Sequence, residues 1–404
     1  MKAKIRAQLP AVDTARQLPH KKTPSGRTKV LHMNYMHSQN ETSVDIEREH
    51  LRFFAKIVQQ LGLHLEILTD VSCQEEVKRE LSKDNYPTLN YTVIISQTPA
   101  SKWAEDSVEY LQNGQIAALR LLDNDLLEWA IKTGRRERWQ RKMSAEKLED
   151  VLRDHHLWIL LGMRVNELKT GLERVRAAQA EGQKVGYIRA YVEGGNMISA
   201  EDAEGNPMVL VGKDAISATA HIYQLSDDDV RKVIAEDFGL ENIEQVVCVE
   251  QPGKFHLDMG MLFIGNGVVI LNNSSTALKD AVEMAELVPC DTTEQKAAKL
   301  KLQHSLEEDA AKDLQAAGLE VRRKALESEI LLYNFFNGEF VEGSDGLNYY
   351  ITNGGLKEQE KIFETLMVKE WQVVQKVFFS PQKAAQKSLQ DQGGVGCRLK
   401  GSGQ

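Results

Sequence analysis

The sequence predicts an α/β fold built from several ββαβ-like units and interrupted by one long helical insertion. Three observations predict it. From residue 28 onward, apolar positions switch between strand period and helix period, segment after segment. Asn113-Gly114 and Gly265-Asn266-Gly267 stand between apolar runs, where tight hairpin turns belong. The order of elements recurs along the chain although no fixed-period identity does.

Residues 1–27 are polar, basic and proline-interrupted, with Lys21, Lys22 and Arg27, and read as a flexible arm. A first strand is expected at 29–33. Leu51, Phe54, Val58 and Leu61 recur at helical spacing up to Gly62. Leu63, Leu65 and Ile67 then alternate with His64 and Glu66 as a half-buried strand. Residues 91–96 make a further strand, and 107–112 with 115–121 a hairpin. Residues 123–182 break this rhythm: they are helical in pattern, heavily charged, and include the basic run 135–142, which reads as a solvated helix face.

Strands resume at 185–192 and 208–211. Ser226 and Asp229 mark the capped start of a helix that Gly239 ends. A strand at 245–250 leads into His256, and 259–264 and 268–272 flank the glycine turn. A helical stretch at 293–327 precedes the last unit, with strands at 330–336 and 348–352, a helix at 356–369 and a strand at 372–379. A short helix after Pro381 then leads to Gly393-Gly394-Val395-Gly396-Cys397, and no helix is expected beyond that turn.

At 404 residues, 42% apolar and 27% charged, the chain has the composition of a soluble globular protein with a sizeable core. A formal net charge of −9 speaks against nucleic acid as a partner and mildly favours cationic ligands. No apolar stretch reaches transmembrane length, and no apolar signal core follows the basic first residues, so neither a membrane association nor a secretory leader is expected. Cys73, Cys248, Cys290 and Cys397 are scattered without a Cys-x-x-Cys pair, which argues for a reducing, cytoplasmic setting. The adjacent His155 and His156 diverge on a helix, so no metal site is expected there. Neither a metal nor an organic cofactor is expected, and homo-oligomerisation is left open.

Four polar fragments carry chemistry: Trp103-Ala104-Glu105-Asp106, Glu193-Gly194-Gly195-Asn196, His256-Leu257-Asp258 and the glycine turn presenting Cys397. Singly, each has a plain explanation: Asp106 as a turn cap, Glu193 as turn chemistry, the His-x-Asp as incidental and Cys397 as a cysteine of a disordered tail. Together they supply a thiol, an imidazole and several carboxylates, which is what attack on a planar cationic carbon requires. His256 and Asp258, two apart in an extended chain, are expected to face one cavity.

In that order and on those elements, the fragments resemble the guanidino-group-modifying enzymes, the pentein superfamily of arginine and agmatine deiminases and amidinotransferases. The likeness spans roughly residues 28–398 and also takes in Asn337-Gly338 and the final strand–Pro–helix–Gly-Gly-Cys order. It implies a five-bladed, pseudo-symmetric α/β propeller of ββαβ modules. Residues 28–404 would be one catalytic domain, with the 123–182 block inserted between the first and second modules. It implies that Asp106 and Asp258 bind a small-molecule guanidino substrate, with peptidyl arginine also open, that Cys397 is the nucleophile, that His256 is the acid and base, and that Glu193 orients it. Two departures bear on substrate identity. Glu105 stands where an arginine is common and is expected to add negative charge at the pocket mouth, and Arg398 directly follows the nucleophile. An amidinotransferase using the same residues, a hydrolase that removes a larger amine, and a non-catalytic binding protein of the same fold are the alternatives.

Overall fold

The computed structural model describes residues 17–36, 41–82, 85–98, 100–119, 165–252, 256–328 and 330–403, together with Leu9 and Ala11. Among these residues, sixteen strands form five small sheets. The first holds β1 (Val30–Tyr35), β2 (His64–Asp70) and β3 (Asn90–Ser96), all parallel. The second holds β4 (Glu109–Tyr110), β5 (Ile116–Leu119) and β6 (Val185–Ile188), and the third β7 (Met197–Glu201), β8 (Pro207–Gly212) and β9 (Val246–Val249). The fourth holds β10 (Met261–Gly265), β11 (Val268–Asn272) and β12 (Glu320–Lys324), and the fifth β13 (Gly338–Glu342), β14 (Asn348–Thr352) and β15 (Lys376–Phe379). The last strand, β16 (Leu399–Ser402), returns to the first sheet and pairs antiparallel with β1, Met33 opposite Leu399.

In each of the second to fifth sheets, an antiparallel hairpin is followed by a crossover to a parallel strand. The first sheet repeats that order with β16, β1 and β2 and adds β3. The chain therefore has the α/β class expected of it, as a set of small mixed sheets.

The crossovers are helices laid on the sheets. α1 (Glu41–Leu61) presents Leu51, Phe54, Val58 and Leu61 to Leu31, Met33, Leu65 and Ile67, all buried, and Gly62 ends it with a φ of 67°. α2 (Gln74–Glu80) joins β2 to β3. α3 (Val165–Ala180) precedes β6, and its buried Arg174 donates to Glu66 of β2 at 2.6 Å and to Asn34 of β1 at 2.7 Å, which docks the second unit on the first. α4 (Lys213–Tyr223) and α5 (Asp227–Phe238) join β8 to β9. Ser226 caps α5 by accepting from the Asp229 amide, and Gly239 closes it with a φ of 65°. α6 (Ser275–Leu287) and α7 (Asp291–Ala316) join β11 to β12, and α8 (Lys357–Thr365), extended by a π turn over Leu366–Glu370, joins β14 to β15. α9 (Gln382–Gln390) and the one-turn α10 (Val395–Arg398) lead into β16.

The fold departs from the sequence reading in several places. The helical block was expected between the first and second units, but β5 and β6 on either side of it pair in one sheet. Its later part is α3, an ordinary crossover helix; residues 123–164, with the basic run 135–142 and His155-His156, lie outside the described residues. Residues 17–27 are seated rather than a free arm. Pro19 bridges Leu111, the His20 amide donates to the Tyr110 carbonyl at 2.8 Å, and the Lys22 amide donates to Ser199 at 2.9 Å. The apolar run 330–336 is a bend, with Leu331 at a φ of 59°, and the strand begins later, at Gly338. The stretch 293–327 is α7 followed by β12, whose charged residues mask a strand paired with β11. The glycine stretch itself holds a helical turn, Val395–Arg398, and a strand rather than a helix follows it, with Val395 and Leu399 fully buried and β16 paired to the β1 edge.

Candidate active site

Each candidate side chain lies two to five residues before a strand of its sheet's antiparallel pair. Asp106 precedes β4, Glu193 precedes β7, His256 and Asp258 precede β10, and Cys397 precedes β16. At the equivalent place before β13 stands Asn337, fully buried. These five connections run into one another through hydrogen bonds.

The Glu105 amide donates to the Cys397 carbonyl at 3.2 Å, tying the 103–106 loop to α10. The Gly195 amide donates to Asp106 Oδ1 at 3.2 Å. His256 Nε2 lies 2.9 Å from Glu193 Oε2, and the Tyr191 hydroxyl donates to Glu193 Oε1 at 2.7 Å. An ionised carboxylate only accepts, so Nε2 carries the proton and Nδ1 faces inward, 3.9 Å from Asp106 Oδ1. Asn337 Nδ2 donates to Asp258 Oδ2 at 2.8 Å and to Cys397 Sγ at 3.3 Å, while its Oδ1 accepts from the Cys397 amide at 3.2 Å. These contacts gather Asp106, Glu193, His256, Asp258 and Cys397 into one buried cluster, the chamber of the candidate site.

Two glycines are dictated by contact. A Cβ on Gly195 would sit 2.3 Å from His256 Nδ1 and 3.1 Å from Asp258 Oδ1, so only a bare backbone passes between them. A Cβ on Gly394 would meet Asn337 Oδ1 at 2.5 Å. His256 and Asp258 do converge, though not as an extended pair: His256 is extended, and Leu257–Met259 is a 3₁₀ turn that swings Asp258 to the same side.

The electrostatics are those of a water-poor cavity. Burial pushes the Cys397 thiol well above its ordinary value, with the Asp258 and Asp106 carboxylates adding to the rise. Burial also pushes Asp258 up to about 7; the Lys22 ammonium opposes this and Asp106 reinforces it. Asp258 Oδ1 is shut off from solvent and makes no hydrogen bond. Without a ligand the chamber thus favours neutral acid groups, and a cation entering it would reverse that preference.

Facing atoms of Asp106, Glu193 and His256 lie within 4.8 Å of one another, close enough to surround an ion. Glu193 and His256 are already bonded to each other, however, so the set reads as an acid–base pair beside a carboxylate rather than a metal cage. Glu105 is buried away from the pocket mouth, 1% exposed and paired with Lys22 and, at 3.2 Å, with Lys400. Arg398 is buried too. It donates to Glu47 on α1 at 2.6 Å and to Ser388 on α9 at 2.8 Å, and its guanidinium lies 5.3 Å from the Trp103 ring centre. Both departures therefore form internal ion pairs. Sequence reasoning counted Asn337-Gly338 in the family likeness but gave Asn337 no role in the site, and it gave none to Lys22 or Lys400.

No family model and no curated protein sequence matches the chain. A solved structure does: a protein assigned as an agmatine deiminase aligns over 96% of this chain and 95% of its own, at a TM-score of 0.58 and 12% identity. The chain shares the fold of that agmatine deiminase-assigned protein. An apo arginine dihydrolase from the cyanobacterial ornithine–ammonia cycle also aligns, over 93% of this chain and 39% of its own, at a TM-score of 0.39 and 9% identity. At such identities the deiminase-like likeness is one of fold, and the roles of single residues rest on this chain's own geometry.

Proposed function

We propose that the chain is a guanidino-group deiminase that hydrolyses an arginine-like guanidinium to a ureido product and ammonia through a covalent intermediate on Cys397. The observation that carries this reading is the shared donor Asn337: one amide holds both the Cys397 sulfur and the Asp258 carboxylate. Nucleophile and cation-binding group are thereby fixed together in a buried chamber that the His256–Glu193 pair also borders. The agmatine deiminase assignment of the protein that shares this fold supports the reaction class. On this reading the five sheets are the blades of a pseudo-symmetric propeller, and residues 28–404 are one catalytic domain with the 123–182 block as part of it.

The chemistry follows from the charges. Asp106 and Asp258 accept hydrogen bonds from the guanidinium N–H groups, and each bond is charge-assisted. The bound cation lowers the proton affinity of the adjacent thiol, the thiol proton passes to His256 Nδ1, and the thiolate adds to the central carbon. His256 protonates one nitrogen of the tetrahedral adduct, which leaves as ammonia and yields a thiouronium. His256 then takes a proton from water as its oxygen adds to the same carbon. The C–S bond breaks and the ureido product departs. One water is consumed and one ammonium released per turn. Glu193, itself held by Tyr191, keeps the imidazole oriented throughout.

A panel of arginine, agmatine, methylated arginines and arginyl peptides, assayed for ammonia, urea and transfer products, tests the reading. Ammonia with a ureido product from wild type and none from Cys397→Ala supports it. Ammonia only when an acceptor amine is present indicates amidino transfer, and no product from any guanidine overturns it.

A further inference from the structure

The strongest feature not used above is a buried charge cluster beneath the chamber. Lys22 and Lys400 lie among Glu105 and Glu109, with Glu339 and Asp258 also within their field. The three glutamates and Lys400 are at most 5% exposed, and they come from three units: the 103–109 segment, β13 and β16. Lys22 comes from the segment before β1. Its ammonium is bonded to Glu105 and donates to the Gly194 carbonyl at 2.5 Å.

Gly194 sits at the centre of this arrangement. A Cβ there would lie 2.0 Å from the Glu105 carbonyl oxygen and 2.9 Å from Lys400 Nζ. The Glu193–Gly195 turn is thus gripped on one side by the Glu105 backbone and on the other by lysine ammoniums. That turn carries Glu193 to His256 and the Gly195 amide to Asp106.

We propose that Lys22 is a positioning residue of the candidate active site: it ties the N-terminal segment to the Glu193–Gly195 turn and brings its amine in against buried Glu105 and the Gly194 carbonyl. This rests on the deiminase reading above. Lys22 touches no reacting atom and acts through Gly194 and through its field. Two features make the role specific. The segment is anchored independently of Lys22, by Pro19 on Leu111 and by His20 Nε2 and Thr28 Oγ1 at 2.8 Å, so the ammonium is delivered to a fixed place. And Lys22 is the largest influence opposing the burial that keeps Asp258 protonated, ahead of Lys400, with Asp106 and Glu339 acting the other way.

The test separates tether from charge. Lys22→Gln keeps an N–H donor for the Gly194 carbonyl and loses the charge; Lys22→Met loses both; Lys22→Arg keeps both. The protonated-carboxyl band in the infrared spectrum reports the titration of Asp258, assigned by its loss in Asp258→Asn and told apart from Glu339 by Glu339→Gln. The proposal expects that titration, and with it the acid limb of kcat/KM, to move up by about one pH unit in Lys22→Gln and Lys22→Met and to stay near wild type in Lys22→Arg. Lys22→Met is further expected to lose kcat at every pH, because the turn is released. A uniform loss in all three variants with the Asp258 band unmoved would overturn the proposal. If Lys22→Met does not fold, Lys22→Gln against Lys22→Arg carries the same contrast. The infrared titration needs no turnover, so a wild type inert towards every guanidine sinks the deiminase reading while the Lys22 effect is still measured.

Discussion

Replacing Gly195 by alanine is the sharpest perturbation the chamber offers. The added methyl would lie 2.3 Å from His256 Nδ1, 3.0 Å from His256 Cγ and 3.1 Å from Asp258 Oδ1. Ordinary carbon–nitrogen contact needs about 3.4 Å or more, so the imidazole must retreat by roughly 1 Å or the turn must move as far. Gly195 does not occupy a left-handed backbone region, so alanine brings no dihedral strain of its own. The stability cost is that of overpacking, about 1–3 kcal/mol. The catalytic cost is larger in proportion, since a misplacement of about 1 Å in a reacting constellation is worth about 100-fold, or about 2.7 kcal/mol in the barrier. Steady-state ammonia release and thermal unfolding of Gly195→Ala check both figures. A folded variant that retains turnover within a factor of about three of wild type would refute the placement of His256 and Asp258 around that turn.

Other expectations follow from the same chamber. Asp258 is neutral below about pH 7 and charged above it, so a guanidinium ligand bound to Cys397→Ser should weaken by up to tenfold per pH unit below 7, level off above, and release a proton on binding; calorimetry in two buffers tests this, and a flat affinity from pH 5.5 to 8 contradicts it. Burial keeps the Cys397 thiol protonated, whereas the Thr293 hydroxyl holds the exposed Cys290 thiol below its ordinary value, so iodoacetamide at pH 8 should label Cys290 well before Cys397 by peptide mapping. Tyr191→Phe removes the 2.7 Å bond to Glu193 Oε1 and should lower kcat about tenfold with a stability loss of about 1–3 kcal/mol. Because Glu193 and His256 are bonded to each other rather than arranged around an ion, chelators should leave turnover unchanged.

The chemistry-bearing loops were legible because they combine residue types rarely brought together by chance: an acid before Gly-Gly, a His-x-Asp, a thiol after Gly-Gly. The β4–β5 and β10–β11 hairpins were legible from their Asn-Gly and Gly-Asn-Gly turns, and α1 from period, since Leu51, Phe54, Val58 and Leu61 leave one face no alternative to burial. What stayed hidden depended on tertiary partners. β7 is buried along its whole length and so shows no alternation, and β12 is charged because only one of its edges is paired. Asn337 shows no chemical role of its own until Cys397 and Asp258 arrive from elsewhere in the chain. Lys22 reads as part of a basic tail because nothing local announces Glu105 and Gly194 as its partners. Arg398 and Glu105 looked like substrate determinants for the same reason; each is matched by an opposite charge far away in sequence.

Rapid acid quench of the enzyme with a turned-over guanidine, followed by mass spectrometry of the peptide holding residue 397, tests the covalent step most directly. The account predicts an adduct on Cys397 equal to the substrate less one ammonia, formed and lost at rates compatible with turnover and absent from Cys397→Ala. Turnover by Cys397→Ala at wild-type rates, with no adduct on the wild-type peptide, would contradict it.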